Sequence, residues 1–166
     1  MKYRFSDGGR HACWLASQNQ NVKKLILVST SAFVSEREKR IFAQFKDITL
    51  WSDEKRRVFQ NIYGFDGLKK NFNNFVNEFL TLRFIIPPEV LQGIKCPTLI
   101  LHADRDLLDL NHAHYLNKRI QNSKLCIFKT NHDILKNKHL EINHKIHEFL
   151  FKDNQPLDQV LMFYSC

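Results

Sequence analysis

Three polar residues stand where a polypeptide can do acyl chemistry: Ser6 in Arg4-Phe-Ser-Asp-Gly8, Asp106 in His102-Ala-Asp-Arg-Asp106, and His132 in Thr130-Asn-His-Asp133. A hydroxyl becomes a good nucleophile when an imidazole removes its proton, and the imidazole serves best when a carboxylate fixes its orientation and tautomer. Such a serine needs a sharp strand-to-helix turn with small residues two before and two after it. Gly8 and Gly9 supply the small side on the helix, whereas Arg4 stands where glycine is expected. Alone, a Ser-Asp-Gly-Gly string is more often an ordinary turn. Asp104 and Asp109 are close rivals of Asp106, and each reads also as a plain loop carboxylate. The chain has eight histidines. His112 and His114 lie two apart and His144 and His147 three apart, but neither pair has a third ligand, so no metal site or cofactor is expected. Joint placement raises Ser6, Asp106 and His132 above the rest, because each follows a segment that reads as a strand, in the order Ser, Asp, His.

The elements that must position them are visible as patterns. Met1 to Phe5 is a short extended piece, and residues 10–18 suit a helix packing through Ala12, Cys13, Leu15 and Ala16. Val22-Lys-Lys-Leu-Ile-Leu-Val28 has the apolar run of a buried parallel strand. Ser35-Glu-Arg-Glu38 is a capping box opening a helix to about Lys46, and Ser52-Asp-Glu54 opens another that Tyr63-Gly64 stops. Phe72, Phe75, Val76, Phe79 and Leu80 repeat at helical spacing; the stripe packs on the domain beneath or, as a second option, lines an acyl pocket. Pro87-Pro88 ends this helical stretch. Cys96-Pro-Thr-Leu-Ile-Leu-His102 is the clearest strand, with Pro97 tolerable only near its start. A helix over 111–121, a strand Lys124-Leu-Cys-Ile-Phe128 and a helix over 141–151, with Ile142, Ile146, Phe149 and Leu150 on one side, follow. Strands alternating with helices at both ends, around a helical middle, predict an α/β fold: a parallel sheet flanked by helices with a helical insertion.

Composition narrows the function class. The formal charge of +8 invites a nucleic-acid reading, but Lys and Arg are dispersed among acids, as in Asp53-Glu-Lys-Arg-Arg57, where phosphate recognition needs one basic face. No nucleic-acid partner is expected. No apolar run approaches the ~20 residues needed to cross a bilayer, so no membrane partner is expected either. Four dispersed cysteines, without a Cys-x-x-Cys pair, point to a reducing compartment: intracellular, cytoplasmic or mitochondrial.

At this point the sequence resembles the valacyclovir hydrolase, or biphenyl hydrolase-like, family of α/β-hydrolases. The segments that carry the likeness are Phe5-Ser-Asp-Gly-Gly9, Asp47-Ile-Thr-Leu-Trp51-Ser52, Tyr63-Gly-Phe-Asp66 and Ile94 to His102 with Asp106. The Trp-Ser and Tyr-Gly-x-Asp pieces are specific to this branch and belong to its lid. The resemblance implies an esterase for α-amino-acid esters, working through an acyl-serine on a small-molecule ester, with Ser6 as nucleophile, Asp106 as acid and His132 as base. It also implies that Asp7 pairs with the substrate's amino group and lends its backbone N–H to the oxyanion; an acid stabilising a helix's first turn would read the same way. Residues 1–34 then form the nucleophile elbow, helix and strand of the core, 35–92 the helical lid, 93–151 the core that carries the acid and base loops, and 152–166 a tail. The pattern departs at Arg4 and at Lys129-Thr-Asn-His132, which is one residue short of the usual Gly-rich lead into the base. Family members carry about another half-domain before the nucleophile, including a loop that gives a second oxyanion amide; losing one such donor costs on the order of 100- to 1,000-fold in turnover. The expectation is therefore a partial α/β-hydrolase, a truncated isoform or gene fragment. The alternative to an active hydrolase is a catalytically inactive remnant serving as an interaction protein.

Overall fold

A computed structural model of the chain describes residues 8–44, 51–64, 84–151 and 160–162, with positions 67, 70, 74 and 77. Ser6 and Asp7 lie outside the described residues, as do the Phe72–Leu80 stripe, Asp47 and Asp66. The chain divides into two compact units, one of residues 1–33 and 85–166, the other of residues 34–84.

The first unit is built on a parallel sheet. Helix α1 (Gly8–Gln18) leads into strand β1 (Lys24–Val28), and β2 (Thr98–Arg105) and β3 (Ser123–Asn131) follow after the insertion. A short β4 (Val160–Met162) completes the spatial order β3–β2–β1–β4. Each neighbouring pair is parallel, with Leu25 opposite Thr98, Thr98 opposite Ser123 and Leu25 opposite Leu161. Every residue of β1 is buried, as the apolar run required. Even Lys24 is buried: its ammonium donates to the carbonyls of Phe149 and Leu150 at 2.9 and 3.0 Å, satisfying orphan groups at a helix end. Pro97 sits just ahead of β2, where its missing N–H costs nothing, and its carbonyl still accepts from the Leu25 amide at 2.9 Å.

Helices cover the sheet. Helix α1 buries Gly8, Gly9, Ala12, Cys13 and Ala16, a stripe of small side chains that permits close approach. Leu15, expected in that stripe, is 38% exposed because the helical turn carries it to the margin of the face centred on Ala12, Cys13 and Ala16. The C-terminal helix (His139–Phe151) buries Ile142, Ile146 and Leu150 against Ile26, Val28, Leu99 and Leu101 of the sheet. Residues 85–92, grouped with the insertion from sequence, belong with the sheet: Pro88–Gly93 is a short helix that buries Val90 and Leu91, and the Ile86 amide donates to the Ala32 carbonyl at 2.8 Å. The segment 152–166, expected as a tail, supplies β4, which pairs with the apolar edge of β1.

In the second unit, helix α2 (Glu36–Gln44) begins in the capping box. The Glu38 amide donates to Ser35 Oγ at 3.2 Å, and the Ser35 amide donates to a Glu38 carboxylate oxygen at 2.9 Å. Helix α3 (Asp53–Tyr63) ends where Gly64 takes φ +70 and its amide donates to the Gln60 carbonyl at 2.8 Å, a left-handed cap that glycine adopts without strain.

Candidate active site

The three parallel strands β1, β2 and β3 end side by side, and each is followed by a polar side chain. Open α/β sheets present functional groups at this carboxyl edge because the loops there leave the packed layers free to vary. Ser29 follows β1, Asp106 follows β2 and His132 follows β3. The structure brings the last two together: His132 Nδ1 lies 2.5 Å from Asp106 Oδ1. The Asp106 side chain is fully buried, while that of His132 is 22% exposed.

Asp106 is held on both oxygens. Ser29 Oγ donates to Oδ2 at 2.6 Å, and the Leu108 amide donates to Oδ1 at 3.0 Å beside His132. Burial by itself would raise this carboxyl's pKa; the hydrogen bonds from His132 and Ser29, with the imidazole's charge and the Leu108 amide, outweigh it and hold Asp106 below the usual carboxylate range. The group is thus an anion, an acceptor only, so Nδ1 of His132 carries the proton between them.

The rival acids have other work. Asp109 is the N-cap of the next helix, Leu110–Arg119, and accepts from the Asn111 amide at 2.9 Å. Asp104 accepts from the Thr130 amide at 2.9 Å. That contact lies where the β2–β3 register shifts: Ala103 faces Phe128 but Arg105 faces Asn131, so β3 carries one extra residue just before His132. Such a bulge bends a strand and re-aims the side chains beyond it. Three carboxylates within six residues are therefore sorted by backbone geometry, and only Asp106 meets the imidazole.

Two neighbours of the pair are histidines of a different kind. His112 is buried and accepts from the Ala32 amide through Nδ1 at 3.2 Å, with the Phe33 ring 4.0 Å away; it fixes the loop after β1. His102 is buried on β2 with Nε2 3.3 Å from the Leu108 carbonyl, which makes that nitrogen the donor, and its Nδ1 has no hydrogen-bond partner among the described residues. Burial lowers its pKa despite the Asp106 charge, so the ring is held neutral. Among the described residues no group of three or more His, Cys, Asp or Glu is arranged to hold a metal ion.

The loop after β1 also contacts α1. Gly9 packs so tightly on Thr30 that a Cβ there would lie 2.1 Å from Thr30 Oγ1. Gly9, in the first turn of α1 and two residues beyond Asp7, therefore rests on a loop whose preceding residue, Ser29, grips Asp106. Ser29 and Thr30 did not stand out in the sequence; the available signal was the hydroxyl run Ser29-Thr-Ser31 directly after an apolar strand.

No protein-family model matches the chain. Among solved structures, a serine hydrolase from Cycloclasticus zankles is similar over 90% of this chain and 64% of its own, with a TM-score of 0.65 at 20% identity. A 2-hydroxy-6-oxo-6-phenylhexa-2,4-dienoate hydrolase from Rhodococcus has a TM-score of 0.62 at 16% identity, over 88% of this chain and 62% of its own. A Pyrococcus furiosus esterase has 0.64 at 17%, over 89% and 50%. The fold is thus that of the α/β-hydrolases, represented in part. In sequence, the chain is similar to Serine hydrolase BPHL: it is 29% identical to the mouse protein and 25% to the human one, each over 127 residues, which is 73% of this chain and 44% of the relative. The chain spans less than half the length of these curated relatives.

Proposed function

We infer that this chain carries the acyl-transfer machinery of a serine esterase, with Ser6 as nucleophile, His132 as general base and Asp106 as the carboxylate that orients the base. The single observation that carries the reading is the His132–Asp106 bond of 2.5 Å at the carboxyl ends of adjacent parallel strands. The contact of Gly9 with Thr30 supports it, because it ties the helix that follows Ser6 to the same end of the sheet.

The chemistry follows from the roles. Ser6 Oγ attacks the ester carbonyl carbon while its proton passes to His132 Nε2, the imidazolium being stabilised by Asp106. The backbone N–H of Asp7, the residue after the nucleophile, donates to the oxyanion so formed. Collapse breaks the bond to the alkoxy oxygen, which leaves as the alcohol with the proton from His132. Water then attacks the acyl-serine by the same route, releasing the acid and restoring Ser6. The Asp7 carboxylate suits a protonated α-amino group on the acyl side, so the substrate class is a small α-amino-acid ester.

Labelling with a fluorophosphonate probe tests this directly, because only an activated serine reacts. A label that maps to Ser6, vanishes in Ser6→Ala and is strongly reduced in His132→Ala is expected. A folded chain that takes no label would refute the reading.

A further inference from the structure

We propose that Ser29 is a positioning residue for the acid–base pair: its hydroxyl, together with the Leu108 amide, locks the plane of the Asp106 carboxylate so that Oδ1 faces His132. The inference rests on the reading of Asp106 and His132 as the acid and base.

A carboxylate on one side-chain torsion turns easily, and its two-fold terminal torsion is broad. One donor cannot fix it. Here Oδ2 is gripped by Ser29 from β1, at 2.6 Å, and Oδ1 by Leu108 from the loop after β2, at 3.0 Å. The two donors follow different strands and hold different oxygens, so rotation of the carboxylate breaks both at once. His132 meets the same Oδ1 through its Nδ1 at 2.5 Å.

The backbone at Ser29 is consistent with a demand on that hydroxyl. Ser29 has φ +44, the left-handed region that non-glycine residues rarely enter because their Cβ crowds the following carbonyl oxygen. Its amide still donates to the Leu101 carbonyl at 2.9 Å, so the β1–β2 ladder runs to this residue before the chain turns. Glycine would hold this turn more cheaply. A serine at a fully buried left-handed position keeps a hydroxyl that glycine would lose, and the structure spends that hydroxyl on Asp106. Strain of this kind is tolerated where surrounding structure over-determines it, commonly beside functional groups.

Two variants separate hydroxyl from backbone. Ser29→Ala removes the donor and keeps the side-chain stub; Ser29→Gly removes the donor and relaxes the turn. The Asp106 carboxyl carbon, followed by NMR with pH, should titrate at a higher midpoint in both, because a hydrogen bond to the anion is lost. Ser31→Ala, whose hydroxyl bonds the Phe33 carbonyl instead, should leave the midpoint where it is. In the unsubstituted chain the Ser29 hydroxyl proton should exchange slowly enough to be observed, which needs no variant to fold. An unchanged Asp106 midpoint in either folded variant, or a rapidly exchanging hydroxyl proton, overturns the proposal. These readouts do not depend on turnover, so they hold even if Ser6 proves unreactive. In a chain that does hydrolyse esters, both variants should lose on the order of tenfold in kcat with KM unchanged, the signature of a misdirected base rather than a damaged binding site. A change in KM alone would also overturn the proposal.

Discussion

Replacing Gly9 by alanine should destabilise the fold, although alanine is the better helix former. In an ordinary helix the exchange gains up to about 1 kcal/mol, from backbone entropy that glycine loses on folding. Gly9 is not in an ordinary place. The added Cβ would meet Thr30 Oγ1 at 2.1 Å, Cγ2 at 2.4 Å and Cβ at 2.7 Å, all closer than atoms pack. Thr30 is 2% exposed and β-branched, so its side chain has few rotamers to escape into, and its own Cβ cannot move without the backbone. Overpacking of this sort costs about 1–3 kcal/mol, and an overlap with a threonine Cβ belongs at the upper end. The net expectation is a loss of about 1–2 kcal/mol, or roughly 2–8 °C in melting temperature for a chain of this size.

Urea denaturation followed by circular dichroism measures the loss, and a double-mutant cycle locates it. Thr30→Ala removes the two atoms nearest the new methyl and leaves the third. The cost of Gly9→Ala should therefore shrink by about 1 kcal/mol in that background without disappearing. Thr30→Ala by itself should be mild, since its hydroxyl is buried with no hydrogen-bond partner among the described residues. A Gly9→Ala chain as stable as the parent, or strict additivity with Thr30→Ala, would refute the close-packing argument.

Other outcomes follow from the same contacts. His102 is neutral in the fold and free to protonate when unfolded, so the native state loses up to about 1.4 kcal/mol per pH unit as pH falls below ~6.5, until its lowered pKa is reached. His102→Gln should flatten that part of the stability–pH curve, and an unchanged slope counts against a buried neutral ring. Cys13, its thiol pushed up to about 12 by burial, should resist alkylation in the native chain while the half-buried Cys126 reacts, a contrast readable by mass spectrometry; equal rates would contradict the packing of α1. Deleting residues 152–166 strips β4 from the edge of β1, and a bare apolar edge should raise self-association on gel filtration. An unchanged elution profile would mean that β4 does not shield that edge.

Local rules made part of the structure legible. The Ser35–Glu38 box, the Gly64 stop and the place of Pro97 all depend on neighbours within four residues, and each acts as its sequence suggests. The choice among Asp104, Asp106 and Asp109 was open because it depends on where two strands end and on a bulge, neither of which leaves a local mark. Ser29 was hidden for a related reason: nothing in its neighbours announces a left-handed serine. Residues 160–162 were read as tail because three residues carry too little pattern to separate a strand from a disordered end; their partner is set by an unpaired edge more than a hundred residues away. Ser6 and Asp7 stand on the sequence pattern and on the anchoring of the helix that follows them.

The same hydrogen bonds decide what an amide would do in place of the acid. In Asp106→Asn one side-chain position must become an acceptor oxygen and the other an NH2 donor. If the NH2 faced His132, it would also face the Leu108 amide, leaving that buried N–H without an acceptor, which costs about 1–3 kcal/mol. If the oxygen faces His132, both donors are satisfied, and the NH2 meets Ser29, whose hydroxyl can turn and accept. The second arrangement wins, so the proton stays on Nδ1 of His132, and the proposed base keeps its working tautomer. The loss then comes from the missing charge alone and should be well short of the ~10⁴-fold that a wrong tautomer costs. Fluorophosphonate labelling rates give the comparison: Asp106→Asn should fall clearly between the parent and His132→Ala. A rate as low as that of His132→Ala would show that the Leu108 amide does not set the orientation, and the account of how this carboxylate is held would have to be abandoned with it.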